Sequence, residues 1–155
     1  MDTDTRTDAE VSRDVAREAG RLLLELRESA GPVTDRAAAD DLRARGDRTS
    51  HELIAARLAA LRPDDAVLSE EGKDDAARLE AARVWIVDPL DGTWEYGQDR
   101  ADFAVHIALW EPGPARLSAS TVDLPAQGLT RSVLDEDTAL APLPTDRPLR
   151  IVASR

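Results

Sequence analysis

The stretch WIVDPLDGTWEYG, residues 85–97, limits the fold more than any other part of the chain. An apolar run ends there in Asp88, Pro89, Leu90, Asp91, Gly92 and Thr93. In an extended strand, residues i and i+3 point to opposite faces, so the two aspartates converge only if the backbone turns between them. Pro89 fixes φ and cannot continue a hydrogen-bonded ladder, which favours such a turn. Gly92 allows close approach of the backbone to a ligand, and Thr93 adds a hydroxyl and an N–H where a helix starts through WEYG. Two carboxylates, the Leu90 carbonyl and a turn full of N–H groups can hold a divalent cation and a phosphate together. Mg²⁺ suits such a place because it takes few carboxylates and keeps water and substrate oxygens.

Two further acidic points repeat this chemistry. LSEE closes a short apolar strand with Glu70 and Glu71, and RGDRTS places Asp47 before a helix. If the two strands are neighbours, Glu70 and Asp88 can share a cation. Taken singly, each feature has a plain reading. Asp-Pro and Asp-Gly are common turn pairs, a Glu pair is usually a solvated surface, and a lone Asp often starts a helix. A buried strand leading into each acid pair favours a metal site.

Composition narrows the classes. The chain has 155 residues, enough for one domain, and 42% of them are apolar. Aromatics are only 3%, so the core rests on Ala, Leu, Val and Ile. The net charge of −11 argues against nucleic acid and anionic membranes as partners, though a bound cation can invert the local field at an anionic substrate. There are no cysteines, which excludes disulfides, thiol catalysis and cysteine metal sites. The start, MDTDTRTDAE, is too acidic and polar for a targeting segment, and no apolar run reaches the ~20 residues of a membrane span. These readings predict a cytoplasmic protein.

The apolar spacing predicts a frayed tail over residues 1–8 and a helix from Ala9 to Glu28, stopped by Gly31-Pro32. Residues 32–46 show no clear face and read as a partly helical loop. A second helix is expected from Ser50 to Leu61, capped by Thr49 or Ser50. Strands follow at 66–71, 83–88 (buried on both faces), 103–111, 115–124 and 129–134, with an edge strand at 138–143 and another at 148–155. The fold class is α+β: two N-terminal helices packed on a mainly antiparallel sheet.

With these residues in place, WIVDPLDGTWEY, the preceding LSEE and the Gly-Asp at 46–47 resemble the lithium-sensitive, Mg²⁺-dependent inositol monophosphatase superfamily. D-P-[IL]-D-G-T is its signature. Glu95 with Tyr96, and DFAVHIAL at 102–109, resemble the branch of 3'(2'),5'-bisphosphate nucleotidases of sulfur assimilation. The resemblance covers roughly residues 10–155 and implies a layered α/β sandwich of the sugar-phosphatase type. It implies a phosphomonoesterase acting on 3'-phosphoadenosine 5'-phosphate, with inositol phosphate or fructose 1,6-bisphosphate as alternative substrates. Glu70 and Asp88 would hold one Mg²⁺ with the Leu90 carbonyl, and Asp88 and Asp91 would share a second. Thr93 and Glu70 would orient the attacking water. Asp47 would be a further acid or a contact for a third ion. The N–H groups of Gly92 and Thr93 would bind the phosphate, and Li⁺ would inhibit. Two such cations about 4 Å apart can clamp attacking and leaving oxygens without a covalent intermediate. The chain departs from that branch at Trp94, where Lys or Arg is usual. The family's second half, with its further aspartate, would begin near IVASR, so the expected domain is 9–147, followed by 148–155 as the first strand of a truncated half.

Two rival readings remain. Haloacid dehalogenase phosphatases use D-x-D-G-T, but they space the acids by two near the N-terminus of a parallel sheet. A non-catalytic half-domain would bind Mg²⁺ weakly or form a homodimer through an open sheet edge. Among the remaining residues, His106 reads as a packed strand residue, and His51, at a helix start, could help bind phosphate but reads first as a surface residue. Trp85 and Trp110 pack beside strands, and Arg43, Arg45 and Arg48 could attract an anionic substrate, although most such runs are solvated faces.

Overall fold

The computed structural model describes residues 4–72 and 76–136. Helix α1 spans Asp8–Ala30. Thr7 starts it with a capping box: the Glu10 N–H donates to Thr7 Oγ1 at 3.2 Å, and the Thr7 N–H donates to Glu10 Oε2 at 2.7 Å. Residues 4–7, read from the sequence as part of a frayed tail, are tied down here. The Arg62 guanidinium donates to Asp4 at 3.0 Å, to Asp8 at 2.7 Å and to the Arg6 carbonyl at 2.7 Å. The buried stripe of α1 runs through Val11, Val15, Ala19 and Leu23, as the spacing predicts.

Helix α2 corrects the sequence reading. It runs without a break over Arg36–Leu61, with the Asp35 side chain accepting the Ala38 N–H at 2.9 Å. The expected loop at 32–46 is therefore mostly helix, and Asp47 lies inside α2 rather than in a turn before it. Its buried face is Ala39, Leu42, Gly46, Ser50, Ile54 and Leu58, an unbroken stripe at helical spacing. Half of that stripe is Ala, Gly and Ser, so apolar periodicity could not reveal it. Ser50 does not cap a helix; its hydroxyl donates to the Pro89 carbonyl at 2.7 Å.

The sheet holds five strands in sequential order: β1 (Ala66–Ser69), β2 (Val84–Asp91), β3 (Ala104–Glu111), β4 (Arg116–Leu124) and β5 (Leu129–Ser132). β1 and β2 are parallel and the other pairs antiparallel. α1 and α2 cover one face, where Trp85, Val87, Val105, Ile107, Leu109 and Ala119 join the helix stripes in one core. The other face has no described element over it. Ile86 is 41% exposed there, so β2 is not buried on both faces as its apolar run suggested. The strands expected at 138–143 and 148–155 lie outside the described residues.

Candidate metal and phosphate site

The one parallel pair of strands decides where the acids go. Ser69 lies opposite Val87, and the Glu70 N–H donates to the Val87 carbonyl at 3.2 Å. Glu70 therefore leaves β1 beside Asp88, while β2 runs on to Asp91. Within β2, Asp88 pairs with His106 but Asp91 pairs with Ala104, so the strand carries a bulge between them. His106 and Ala104 share a face of β3, and the extra residue of the bulge puts Asp88 and Asp91 on that face too. The turn that the sequence demanded is this bulge, and Pro89, with no N–H to give a ladder, occupies it. Ser50 pins it through the Pro89 carbonyl, and the Leu90 N–H donates to Asp88 Oδ1 at 3.2 Å.

Gly92 follows at φ 81°, where a Cβ would also stand 3.0 Å from the Asp102 carbonyl oxygen. Only glycine fits both demands. The chain then makes the single turn α3, Thr93–Tyr96. Thr93 Oγ1 stands 3.0 Å from the Leu90 carbonyl oxygen and 3.3 Å from Asp47 Oδ1, the acceptors for its proton. Tyr96 anchors α3 in the core, its hydroxyl donating to the Leu23 carbonyl at 2.7 Å and its ring meeting Phe103 edge-on at 5.0 Å. Burial pushes the Tyr96 hydroxyl up to about 12, so it stays a donor. Gly46 makes this approach feasible: a Cβ there would lie 2.8 Å from the Tyr96 ring and 3.0 Å from Leu90.

The acids repel one another. Burial, then the Glu71 charge, raises Asp47 to about 6, with Asp88 and Glu70 adding and the Thr93 hydroxyl opposing. Burial, then Glu70 and Asp91, raises Asp88 above the ordinary carboxylate range. The Leu90 N–H and the His106 charge oppose the rise at Asp88. No three described His, Asp or Glu side chains form a ready-made metal cluster. The donor set is all oxygen and negative, which fits a hard divalent cation once the carboxylates draw in.

The structure thus joins Asp47, Thr93 and Leu90 by direct contact and sets Glu70 beside Asp88. Asp91 is 60% exposed at its side chain and lies 3.2 Å from His106 Nε2, without the angle of a hydrogen bond. His106 is accordingly half-exposed on the open sheet face, not packed as the sequence reading had it. That reading took Ser50 as a helix cap, Glu71 as half of an acid pair and His51 as a surface residue, and the structure gives each a place beside the site. Ser50 stands one helical turn after Asp47, a spacing that would have exposed its role had α2 been read as continuous. His51 Nδ1 is 2.9 Å from Ser69 Oγ, and a Cβ on Gly72 would lie 3.1 Å from its ring, so it braces the turn after β1.

Comparisons with known proteins point the same way. The inositol monophosphatase family matches residues 4–131. A Mycobacterium leprae protein named 3'-phosphoadenosine 5'-phosphate phosphatase is 48% identical over 143 residues, covering 87% of this chain and 51% of that protein. A Salmonella typhimurium 3'(2'),5'-bisphosphate nucleotidase is 38% identical over 101 residues, 64% of this chain and 41% of its own length. The solved extragenic suppressor protein SuhB of Bartonella henselae superposes with a TM-score of 0.64 at 27% identity, covering 80% of this chain and 46% of that one. The chain spans about half the length of the curated relatives it matches.

Proposed function

The chain belongs to the inositol monophosphatase family, and on that premise we propose that it forms the metal-binding part of a Mg²⁺-dependent phosphomonoesterase whose substrate is 3'-phosphoadenosine 5'-phosphate. The observation that carries this is the meeting of Thr93 with Asp47 at the end of the bulged strand, next to the parallel pairing that sets Glu70 beside Asp88. Glu70, Asp88 and the Leu90 carbonyl would hold one ion, Asp88 and Asp91 a second, with Asp47 in reach of a third. Li⁺ would compete for the same oxygens. A bound divalent cation supplies charge neutralisation for the phosphoryl group and acidifies a coordinated water.

The residues of the chain do the rest. Thr93 commits its proton to Leu90 or Asp47, so its oxygen lone pairs remain to accept from a water and hold it. Glu70 and Asp47 would face that water as acceptors. The N–H groups of Gly92 and Thr93 line the turn where phosphate would bind, with no side chain at Gly92 to obstruct it. Among the described residues, no helix is long and apolar enough to cross a membrane. The setting proposed for this activity is cytoplasmic sulfur assimilation.

The test is Mg²⁺-dependent phosphate release from 3'-phosphoadenosine 5'-phosphate, with inositol 1-phosphate beside it and the Asp88→Asn chain as control. Release that disappears in the variant supports the reading, and a preference for inositol phosphate would change the substrate. Release unaffected by Asp88→Asn would overturn the site. No release, together with Mg²⁺ binding and concentration-dependent dimerisation, would favour the non-catalytic half-domain.

A further inference from the structure

A short piece of α2 reaches three separate segments of the site. Asp47 meets Thr93 at the start of α3, Ser50 donates to the Pro89 carbonyl in the bulge of β2, and His51 Nδ1 lies 2.9 Å from Ser69 Oγ at the end of β1. Asp47, Ser50 and His51 stand three and four residues apart, so they leave one side of the helix. The contact of His51 is the one with no counterpart in the chemistry of the site, since neither it nor Ser69 is among the proposed ligands.

Its effect follows from how β1 ends. β1 is a four-residue strand at the edge of the described sheet. Ser69 is buried opposite Val87 and shares its helix-covered face. Continued alternation sends Glu70 toward the open face, where Asp88 lies, and Glu71 back toward α2. The electrostatics agree: among the charges that raise Asp88 that of Glu70 is the largest, and among those that raise Asp47 that of Glu71 is the largest. One turn thus delivers a carboxylate to each side of the site. Both glutamates are exposed, so the backbone of the turn sets where they point. The Glu70 N–H holds that backbone to the Val87 carbonyl on the sheet side, and the Gly72 N–H donates to the Ser69 carbonyl at 3.0 Å. His51 holds it on the helix side. The Ser69 hydroxyl can pair with either tautomer of the ring, because it both donates and accepts. The ring also covers Gly72, where a Cβ would lie 3.1 Å from Cε1.

We propose that His51 is a positioning residue: through Ser69 and Gly72 it fixes the turn that divides the glutamate pair, Glu70 to Asp88 and Glu71 to Asp47, and so sets the cation affinity of the site without touching a cation. Its consequence for a cation rests on the metal-binding reading, whereas its hold on the turn rests on the geometry alone.

The experiment measures amide exchange at Glu70 and Gly72 without metal and, on the same chains, Mg²⁺ affinity by calorimetry. His51→Phe keeps a ring over Gly72 and loses the nitrogen, while His51→Asn keeps a polar atom near the place of Nδ1. Arg62→Met, which loosens the C-terminal end of α2, controls for lost stability alone. His51→Phe is expected to speed exchange at both amides several-fold and to weaken Mg²⁺ binding about tenfold, the scale of a lost partner behind a metal ligand. His51→Asn is expected to restore much of both, and Arg62→Met to keep the wild-type Mg²⁺ affinity. Unchanged exchange in His51→Phe would overturn the proposal whatever the metal does. Faster exchange with unchanged Mg²⁺ affinity would make His51 a brace of the fold and overturn its positioning role, as would an equal loss of affinity in Arg62→Met. A wild type that binds no Mg²⁺ would overturn the metal reading and the role toward a cation with it, while faster exchange in His51→Phe would still support the hold on the turn.

Discussion

At the scale of single residues, the site depends on charge kept close and on side chains kept small. Asp47 titrates at about 6 in the fold against 3.8 for an ordinary aspartate, because burial and Glu71 disfavour its charge. The folded state therefore binds more protons than the unfolded chain between about pH 4 and 6, so this group's contribution to stability falls as pH rises through that window. Thermal melts without metal are expected to show that fall, and Asp47→Asn to flatten it. An unchanged pH profile in the variant would refute the raised value. Gly46 acts through space instead. Replacing a helical glycine by alanine normally stabilises by roughly 0.5–1 kcal/mol. Here the new methyl would meet Tyr96 at 2.8 Å and Leu90 at 3.0 Å. Gly46→Ala is therefore expected to destabilise by about 2 kcal/mol, read from urea denaturation. A gain in stability would show that the two side chains can step aside.

At the scale of elements, each piece of the site is positioned by a neighbour that contributes no ligand. Ser50 holds the bulge of β2, His51 braces the turn after β1, and Tyr96 bolts α3 to α1. Tyr96→Phe removes one buried hydrogen bond and is expected to cost about 1 kcal/mol with the fold retained. The opposite end of the molecule is held by charge. Arg62, at the end of α2, joins Asp4, Asp8 and the Arg6 carbonyl, while Arg83 bridges Asp8 and Asp65 at 2.9 Å each. These groups are partly buried, so their hydrogen bonds exceed an exposed ion pair in value. Arg62→Met is expected to cost about 2 kcal/mol and to speed amide exchange over the first turn of α1 and the last turn of α2. Unaltered exchange there would mean that helix packing alone fixes these ends.

At the scale of the whole molecule, a chain with net charge −11 gathers several acids at one end of one sheet. A cation that binds only the folded chain stabilises it by mass action, by about 2.7 kcal/mol at 100 times its dissociation constant. Mg²⁺ is expected to raise the melting temperature of the wild type and to leave Asp88→Asn nearly unmoved, because that variant would lose a proposed ligand while easing the repulsion with Glu70 and Asp91. Equal shifts in both would move the cation elsewhere.

Part of this architecture is legible in the residues alone. Strand periods, turn residues and the Asp-Pro-Leu-Asp-Gly-Thr string are local, and local sterics dictate them. They determine the order of elements, the helix-on-sheet class and the acids from which the proposed site is built. The continuity of α2 is not legible in that way. Its buried face is built from Ala39, Gly46 and Ser50, and the reason for their burial lies in Tyr96, Leu90 and the Pro89 carbonyl far along the chain. The same holds for the parallel pairing that sets Glu70 beside Asp88, the bulge that turns Asp91 to the same face, and the exposure of Ile86 and Trp94. Sequence spacing specifies which way a side chain leaves its own element. What it meets depends on contacts between distant segments, and only tertiary structure decided those.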